Sequence, residues 1–258
     1  MAPAKLGQHF LSNKNVAERM IRTFFPVRGS ILEIGPGTGI LTDLLIKYRD
    51  EKENEIFAVE VDKELYHKIK AKHEKNVNII YLSVLNLGLE TICPQGKINL
   101  VGNVPYYISR EIIDWIIAGC PKIEKGMFMM QKEFADRLSL PGPSRDNSAR
   151  SLMFNYLFDL RKLFTVNPGS FSPPPKVKST VFLFEKKKKD NHEKIDSGHF
   201  YLFLKDCFRN RRKTLFNNLQ TKYPEEQLRE IFDRTKINPK IRAEQVNPKN
   251  FLSLFREL

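Results

Sequence analysis

Ser30 to Ile34 (SILEI) is a short apolar run of strand type. It passes at once into Gly35-Pro36-Gly37-Thr38-Gly39 and then into ILTDLLIKY at 40–48, whose apolar residues recur at helical spacing. A strand that enters a helix through a glycine turn must lay that helix back over the sheet, and the same alternation continues downstream. IFAVEV (56–61), a polar helical stretch near 63–73, VNIIYL (77–82), INLVGN (98–103), a helix near 109–118 and GMFMMQ (126–131) follow in order. Strands that alternate with helices form a parallel sheet covered on both faces, so the fold class is α/β.

The pattern changes from Ser151. SLMFNYLFDLRKLFTV and KVKSTVFLFEK read as two longer extended stretches, joined by NPGSFSPPP, whose prolines prevent a helix. They are expected to pair antiparallel at the edge of the sheet. The charge run Lys186 to Lys189 with Asp190 and Asn191 then marks a linker. Beyond it, apolar residues at 200, 203, 204, 208 and 215, and again at 228, 231 and 232, suit amphipathic helices, with Asn238-Pro239 and Asn247-Pro248 as punctuation. With 258 residues against ~150 for a typical domain, the expectation is two domains: 1–187, carrying the sheet, and 188–258, small and helical. Phe200, Phe203, Leu204, Phe208 and Trp115 are read as core.

The formal net charge is +13. It divides into +7 up to Lys187 and +6 over the last 71 residues, so the excess is densest at the C-terminal end. A basic balance of this kind favours polyanionic partners, nucleic acid ahead of a membrane surface. Cys93, Cys120 and Cys207 are odd in number and widely spaced, which indicates neither a disulfide framework nor a zinc site. No apolar run approaches the ~18–20 residues of a membrane span, and MAPAKLGQHFL lacks the apolar core of a signal peptide. A soluble cytoplasmic protein is expected.

Two places could carry chemistry. In Gly35-Pro36-Gly37-Thr38-Gly39 the missing side chains let a ligand approach backbone N–H groups at the start of a helix. The turn lacks the Gly-Lys-Ser/Thr ending of a P-loop and the GxGxxG spacing of a dinucleotide site. Glu60, 21 residues beyond Gly39 at the end of the second strand, can accept both hydroxyls of a ribose, which points to a nucleoside-containing cofactor or leaves a structural turn with a solvated Glu. The second place is Asn103-Val104-Pro105-Tyr106, on the carboxyl edge of the sheet. An amide oxygen and a rigid carbonyl before proline can both accept from an exocyclic amine while an aromatic ring stacks on the base. The alternative is a strand-terminal turn capped by Asn103 with Tyr106 in the core. Arg209, Arg211, Arg212 and Lys213 offer phosphate contacts, or a solvated helix face.

GPGTG and NVPYYIS, together with LGQHFL (6–11), MQKE (130–133), FSPPPKV (171–177), FRNRRKTLFNNL (208–219) and INPKIRAEQVNPKNF (237–251), make the chain resemble the ribosomal RNA adenine N6-dimethyltransferases, and specifically the bacterial small-subunit branch. The resemblance spans nearly the whole chain. It implies a Rossmann-like class I methyltransferase sheet of seven strands, the last pair antiparallel, followed by a small helical domain, with S-adenosylmethionine (SAM) as methyl donor and no metal. It further implies that His9 and Leu11 line the methionine side of the cofactor, that Gly35 and Gly37 pass beneath it, that Glu60 holds its ribose, and that Asn103 borders it. Asn103, Val104, Pro105 and Tyr106 would receive the target adenine, with Phe171 as a second stacking face. His9 stands where many members carry Asn.

Two departures from the family pattern bear on function. Ser83 stands where an aspartate usually accepts from the cofactor adenine's amino group, which exchanges a charged acceptor worth ~1.5–3 kcal/mol for a weaker one. Asn147-Ser148-Ala149-Arg150 replaces an aromatic and a glycine. The activity implied is N6,N6-dimethylation of two adjacent adenosines near the 3′ end of small-subunit rRNA, within an immature subunit, by a chain in which nothing suggests an obligate oligomer. The rival is a noncatalytic RNA-binding assembly factor that keeps the fold. A nicotinamide oxidoreductase would leave NVPY and the basic C-terminal end without a purpose.

Overall fold

The computed structural model of the protein describes residues 8–140, 142–188 and 195–258. Leu6, Gly7 and the end of the expected linker, Lys189 to Asn191, lie outside them. In chain order the elements are β1 (Phe10–Leu11), α1 (Lys14–Phe24), β2 (Ser30–Ile34), α2 (Ile40–Tyr48), β3 (Ile56–Glu60), α3 (Lys63–His73), β4 (Asn78–Tyr81), α4 (Leu89–Ile92), β5 (Ile98–Asn103), α5 (Ser109–Ala118) and β6 (Ile123–Gln131). They are followed by α6 (Lys132–Leu138), α7 (Ala149–Leu157), β7 (Phe158–Val166), β8 (Phe171–Ser172), β9 (Ser179–Lys186), α8 (Ser197–Cys207), α9 (Leu215–Leu219), α10 (Glu225–Thr235) and α11 (Pro248–Glu257). The described residues fall into two compact units, one of the segments up to Ala135 and Phe158–Lys186, the other of Asp136–Leu157 and Lys187–Leu258.

The first unit is built on a seven-stranded sheet in the order β4-β3-β2-β5-β6-β9-β7. β4, β3, β2, β5 and β6 pair in parallel, and β9 runs antiparallel to both of its neighbours. This is the seven-stranded arrangement with an antiparallel last pair that the sequence motifs imply. α1 shows why a helix covers it. Asn13 caps its start by accepting from the N–H groups of Asn15 and Val16, and Ala17, Met20, Ile21 and Phe24 form a buried stripe at i, i+3, i+4 and i+7. That stripe joins a core with Ile31, Leu45, Ala58, Met127 and Val181. A second, two-stranded sheet was not foreseen: β1 pairs antiparallel with β8, placing Leu11 opposite Phe171 and Phe10 opposite Ser172.

The extended reading of residues 151–166 is corrected over its first half. Residues 149–157 are the helix α7, and only 158–166 form a strand. Its apolar residues run almost without interruption, which fits a buried helix as well as a buried strand, so the periodicity could not separate them. The start of α7 supplies a local reason for the helix, since Ser148 and Ser151 exchange hydrogen bonds, each backbone N–H donating to the other's hydroxyl at 3.0 and 3.2 Å. Ser148, within the stretch where the family pattern has an aromatic and a glycine, therefore pairs with Ser151 to cap a helix. α7 packs with α8 in the second unit, whose core is aromatic: Phe200 meets Tyr156 and Phe255 at ring-centroid distances of 5.0 and 5.2 Å, and Phe216 meets Phe232 at 5.3 Å. The expected division after Lys187 thus differs from the observed one, which adds 136–157 to the C-terminal helices because Leu152, Met153, Phe154 and Leu157 are buried.

Candidate active site

The carboxyl ends of β2, β3, β4 and β5 open into one cleft of the first unit, where open α/β sheets place their ligands. It measures about 940 Å³ counting the solvent in its open mouth. Gly35 and Gly37 reach it after β2, Glu60 and Val61 after β3, Leu82 to Val84 after β4, and Asn103 to Ile108 after β5. Gln8, His9 and Phe10 close it from the segment around β1. Eight of the sequence-derived residues therefore share one cavity: His9, Gly35, Gly37, Glu60, Ser83, Asn103, Val104 and Tyr106, with Pro105 as a ninth.

Asn103 is oriented unambiguously by its partner. Its Nδ2 donates to the backbone carbonyl of His9 at 2.8 Å. A carbonyl can only accept, so the amide's NH₂ end is committed there and Oδ1 is left as the acceptor of the side chain. The next residue offers a second acceptor. Val104 donates its N–H to the Met129 carbonyl at 3.1 Å, while its own carbonyl receives no hydrogen bond among the described residues. Tyr106 is half-buried, and its hydroxyl lies 2.6 Å from Ser179 Oγ. Its ring stands 5.6 Å from that of His9. His9 is held in turn by a hydrogen bond from Nδ1 to the Pro173 carbonyl at 2.8 Å.

Glu60 anchors the glycine turn. Oε2 accepts from the Gly37 N–H at 3.3 Å, and Oε1 from the N–H groups of Val61 and Asp62 at 2.9 and 3.0 Å. Burial pushes the Glu60 carboxyl up, against these three backbone donors, which favour the anion. Gly35 and Gly37 have φ of +66° and +56°, in the left-handed region that glycine occupies without strain. A Cβ on Gly37 would stand 2.9 Å from Phe10 Cδ1, whereas one on Gly35 would meet nothing within 4 Å.

Two expected residues are placed elsewhere. Leu11 and Phe171 face each other across β1 and β8, are 3% and 4% exposed, and belong to the hydrophobic core rather than to the lining of the cleft. Tyr107, Val61, Leu82 and Val84 line the cleft without having been singled out. Their position after strand ends was the available signal. Trp115 is half-buried, its indole N–H donating to the Leu87 carbonyl at 3.0 Å.

Glu33 lies behind the glycine turn, 1% exposed, and accepts from the Thr42 hydroxyl at 2.6 Å. Burial pushes its carboxyl up to about 8, with Glu60 adding to the effect and the Thr42 hydrogen bond opposing it. The folded chain therefore keeps this proton to about pH 8 while the unfolded chain sheds it near pH 4.5, so stability falls as pH rises through that interval. Glu33→Gln is expected to gain on the parent by a few kcal/mol, about 1.4 per unit, between pH 5 and pH 9 in urea-unfolding experiments. Parallel pH curves for the two proteins would contradict this.

The second unit carries the basic cluster, which is a turn rather than a helix face. Arg209, Arg211, Arg212 and Lys213 are exposed between α8 and α9. Arg211 Nη2 donates to the carbonyls of Arg145 and Asn147 at 3.0 and 2.8 Å, and Arg209 Nη1 donates to the Thr221 hydroxyl at 3.2 Å. Arg212 and Lys213 make no side-chain hydrogen bond or ion pair among the described residues.

Comparison with known proteins places this architecture. Solved structures of the same fold include a 23S rRNA methyltransferase, ErmE (TM-score 0.71, 24% identity, 96% of this chain and 99% of that one), and a dimethyladenosine transferase from Plasmodium falciparum (TM-score 0.76, 22% identity, 95% and 96%). Among curated relatives, the ribosomal RNA small subunit methyltransferase A of Koribacter versatilis is 33% identical over 99% of this chain and 94% of its own length, and that of Malacoplasma penetrans is 32% identical over 98% and 90%. The family model for ribosomal RNA adenine dimethylase matches residues 2–258, and the chain belongs to that family.

Proposed function

We propose that this protein dimethylates N6 of two adjacent adenosines near the 3′ end of small-subunit rRNA, using SAM, during assembly of the subunit. The observation that carries the reading is the commitment of the Asn103 NH₂ group to the His9 carbonyl. That bond leaves Oδ1 and the free Val104 carbonyl as paired acceptors at the edge of the cleft, one for each hydrogen of an exocyclic amine. The small-subunit target is what the curated relatives' names supply.

The cleft residues fit SAM by a direct criterion. Gly35 borders the cavity with an empty side-chain direction that a Cβ would occupy, and the Glu60 carboxylate has lone pairs to spare beyond its three backbone donors, since two oxygens offer about four acceptor sites. Glu60 would hold the ribose, Gly35 and Gly37 would lie beneath the cofactor, and His9 would border its methionine end. Leu11 and Phe171 would act from the core, fixing the β1–β8 pairing that carries His9. When bound, SAM supplies an electrophilic methyl group on a sulfonium.

The chain's own part is to present the amine. Asn103 Oδ1 and the Val104 carbonyl accept from N6–H, which keeps the nitrogen lone pair from delocalising fully into the purine and turns it toward the methyl group. Pro105 stiffens that carbonyl, and Tyr106 stacks on the base, its ring fixed by Ser179. The methyl group that SAM would supply would replace one N6 hydrogen, whose proton would leave to water, with no redox equivalents consumed. A base can enter such a pocket only after leaving its stack, which suits an rRNA loop in an immature particle.

The second unit, with its exposed basic turn, would grip rRNA backbone. Arg212→Ala and Lys213→Ala are expected to weaken binding to rRNA without sequence preference, each reducing the salt slope of binding by about 1, with little change in Tm. Arg211→Ala should lower Tm as well, because it frees two carbonyls of the 145–147 loop. Equal Tm losses in all three would make the cluster structural.

The deciding experiment is transfer of labelled methyl from SAM to small subunits that lack the modification, with nucleoside mass spectrometry. N6,N6-dimethyladenosine on unmodified but not mature particles is expected. Binding without label at saturating SAM would overturn the catalytic reading.

A further inference from the structure

The outer edge of the first unit's sheet carries an aromatic patch that the chemistry of the cleft leaves unused. β4 is the edge strand, and its last residue, Tyr81, pairs in register with Glu60 while the next residue, Leu82, already lines the cleft. Tyr81 is 51% exposed. Its ring lies 5.3 Å from that of Tyr66 on α3, which in turn lies 5.2 Å from the His67 ring. Three rings in contact beside a ligand cleft form a patch of the kind that marks an interaction surface.

Charge frames the rings. Lys63, Tyr66, His67 and Lys70 stand at i, i+3, i+4 and i+7 of α3, one stripe of the helix, and Lys70 Nζ donates to the Tyr66 hydroxyl at 3.2 Å. Lys63 is exposed and makes no side-chain hydrogen bond or ion pair among the described residues. Seven residues put the two lysines ~10 Å apart along the axis, one on each side of the rings. α3 holds four lysines and one acid, Glu64, which lies off the stripe. Aromatic faces set between cations suit a single-stranded polyanion, since every base has a π-face to stack and every nucleotide a phosphate. A protein partner would meet a surface depleted in lysine.

We infer that Tyr81, Tyr66 and His67 form a stacking platform for unpaired rRNA that flanks the target adenosine, with Lys63 and Lys70 on its phosphates. The inference rests on the rRNA reading of the cleft and adds a contact surface outside both the adenine pocket and the basic turn of the second unit. Continuity with the pocket supports it: β4 is three strands from β5, ~14 Å at ~4.8 Å per strand, a distance that a few nucleotides span.

Co-sedimentation of the full chain with unmodified small subunits, with S-adenosylhomocysteine present to prevent turnover, tests it over a range of salt concentrations. Tyr81→Ala is expected to weaken binding by about 5–100-fold, the scale of one stacked base, with an unchanged salt slope. Tyr81→Phe should stay within about twofold of wild type, because stacking uses the ring and not the hydroxyl. Lys63→Ala should instead flatten the salt slope by about 0.7, one phosphate of a single strand, and this exposed side chain can be removed without disturbing the strand edge. Dimethyl sulfate probing of the same particles should show unpaired bases beside the target shielded by wild type and open with Tyr81→Ala. Affinity for S-adenosylhomocysteine should hold in all three variants, since neither Tyr81 nor Lys63 lines the cleft. Binding by Tyr81→Ala within twofold of wild type, an equal loss in Tyr81→Phe, an unchanged slope in Lys63→Ala, or lost affinity with no change in base shielding overturns the platform and leaves the methyltransferase reading in place. A wild-type chain that binds no small subunits overturns both.

Discussion

Methyl transfer by an Asn103→Ala enzyme is expected to fall by about 10²–10³-fold in kcat, the usual cost of losing one well-placed hydrogen-bonding group in a transition state. The loss should appear in kcat rather than in the KM for the particle, because on the proposed reading the basic turn of the second unit would hold the rRNA independently of the adenine. Asn103→Asp separates the two things the amide does. Its oxygens can still accept from N6–H, yet neither can donate to the His9 carbonyl, and an oxygen facing that carbonyl 2.8 Å away is repelled. Asn103→Asp should therefore fall nearly as far as Asn103→Ala. Single-turnover kinetics with saturating SAM measure both, and full activity in Asn103→Asp would show that the tether to His9 is dispensable.

Glu60→Gln is expected to weaken cofactor binding by about 10–100-fold and to lower Tm by about 3–12 °C. The carboxylate accepts from three backbone N–H groups with two oxygens. Glutamine has one oxygen, so its NH₂ must face either Gly37 or the Val61 and Asp62 pair, and at least one buried donor goes unmatched. A lost charge-assisted bond of this kind costs about 1.5–3 kcal/mol, which for a chain of this size corresponds to the stated shift in Tm at 2–4 °C per kcal/mol. The same bond to Gly37 positions the glycine turn, so affinity falls for two reasons. Calorimetry of S-adenosylhomocysteine binding and differential scanning calorimetry of the free chain read the two effects separately. An unchanged Tm with lost binding would mean that Glu60 acts on the ligand alone.

The sheet was legible because its information is local. SILEI followed by GPGTG, and the recurring apolar runs after it, carry the βα alternation within windows of about twenty residues. NVPY was legible as part of the cleft for the same reason, since it lies at a strand end whose position the alternation already fixes. Residues 149–157 were not, because a run such as SLMFNYL is apolar on every face and its period is hidden; the reciprocal caps of Ser148 and Ser151 that decide for a helix are visible only with the backbone in place. The β1–β8 pairing was equally out of reach. Phe10, Leu11, Phe171 and Ser172 are two-residue strands with no pattern of their own, so their meeting is a tertiary event. The buried positions of Leu11 and Phe171 follow from it. The raised Glu33 carboxyl is another tertiary effect, created by burial that SILEI alone does not reveal.

The two-residue pairing also sets an order of events in the making of the protein. His9, which receives the Asn103 tether through its carbonyl, is itself tied to Pro173, 164 residues further along the chain. At synthesis rates of about 5–20 residues per second, some ten seconds or more separate the emergence of these partners. During that interval β2 to β6 can already pair, while the N-terminal wall of the cleft has nothing to rest on. The Asn103 amide is thus secured late, shortly before β9 (Ser179–Lys186) completes the sheet of the first unit, and a nascent chain stalled before Pro173 would carry the glycine turn and Glu60 without the support that holds His9 beneath Asn103.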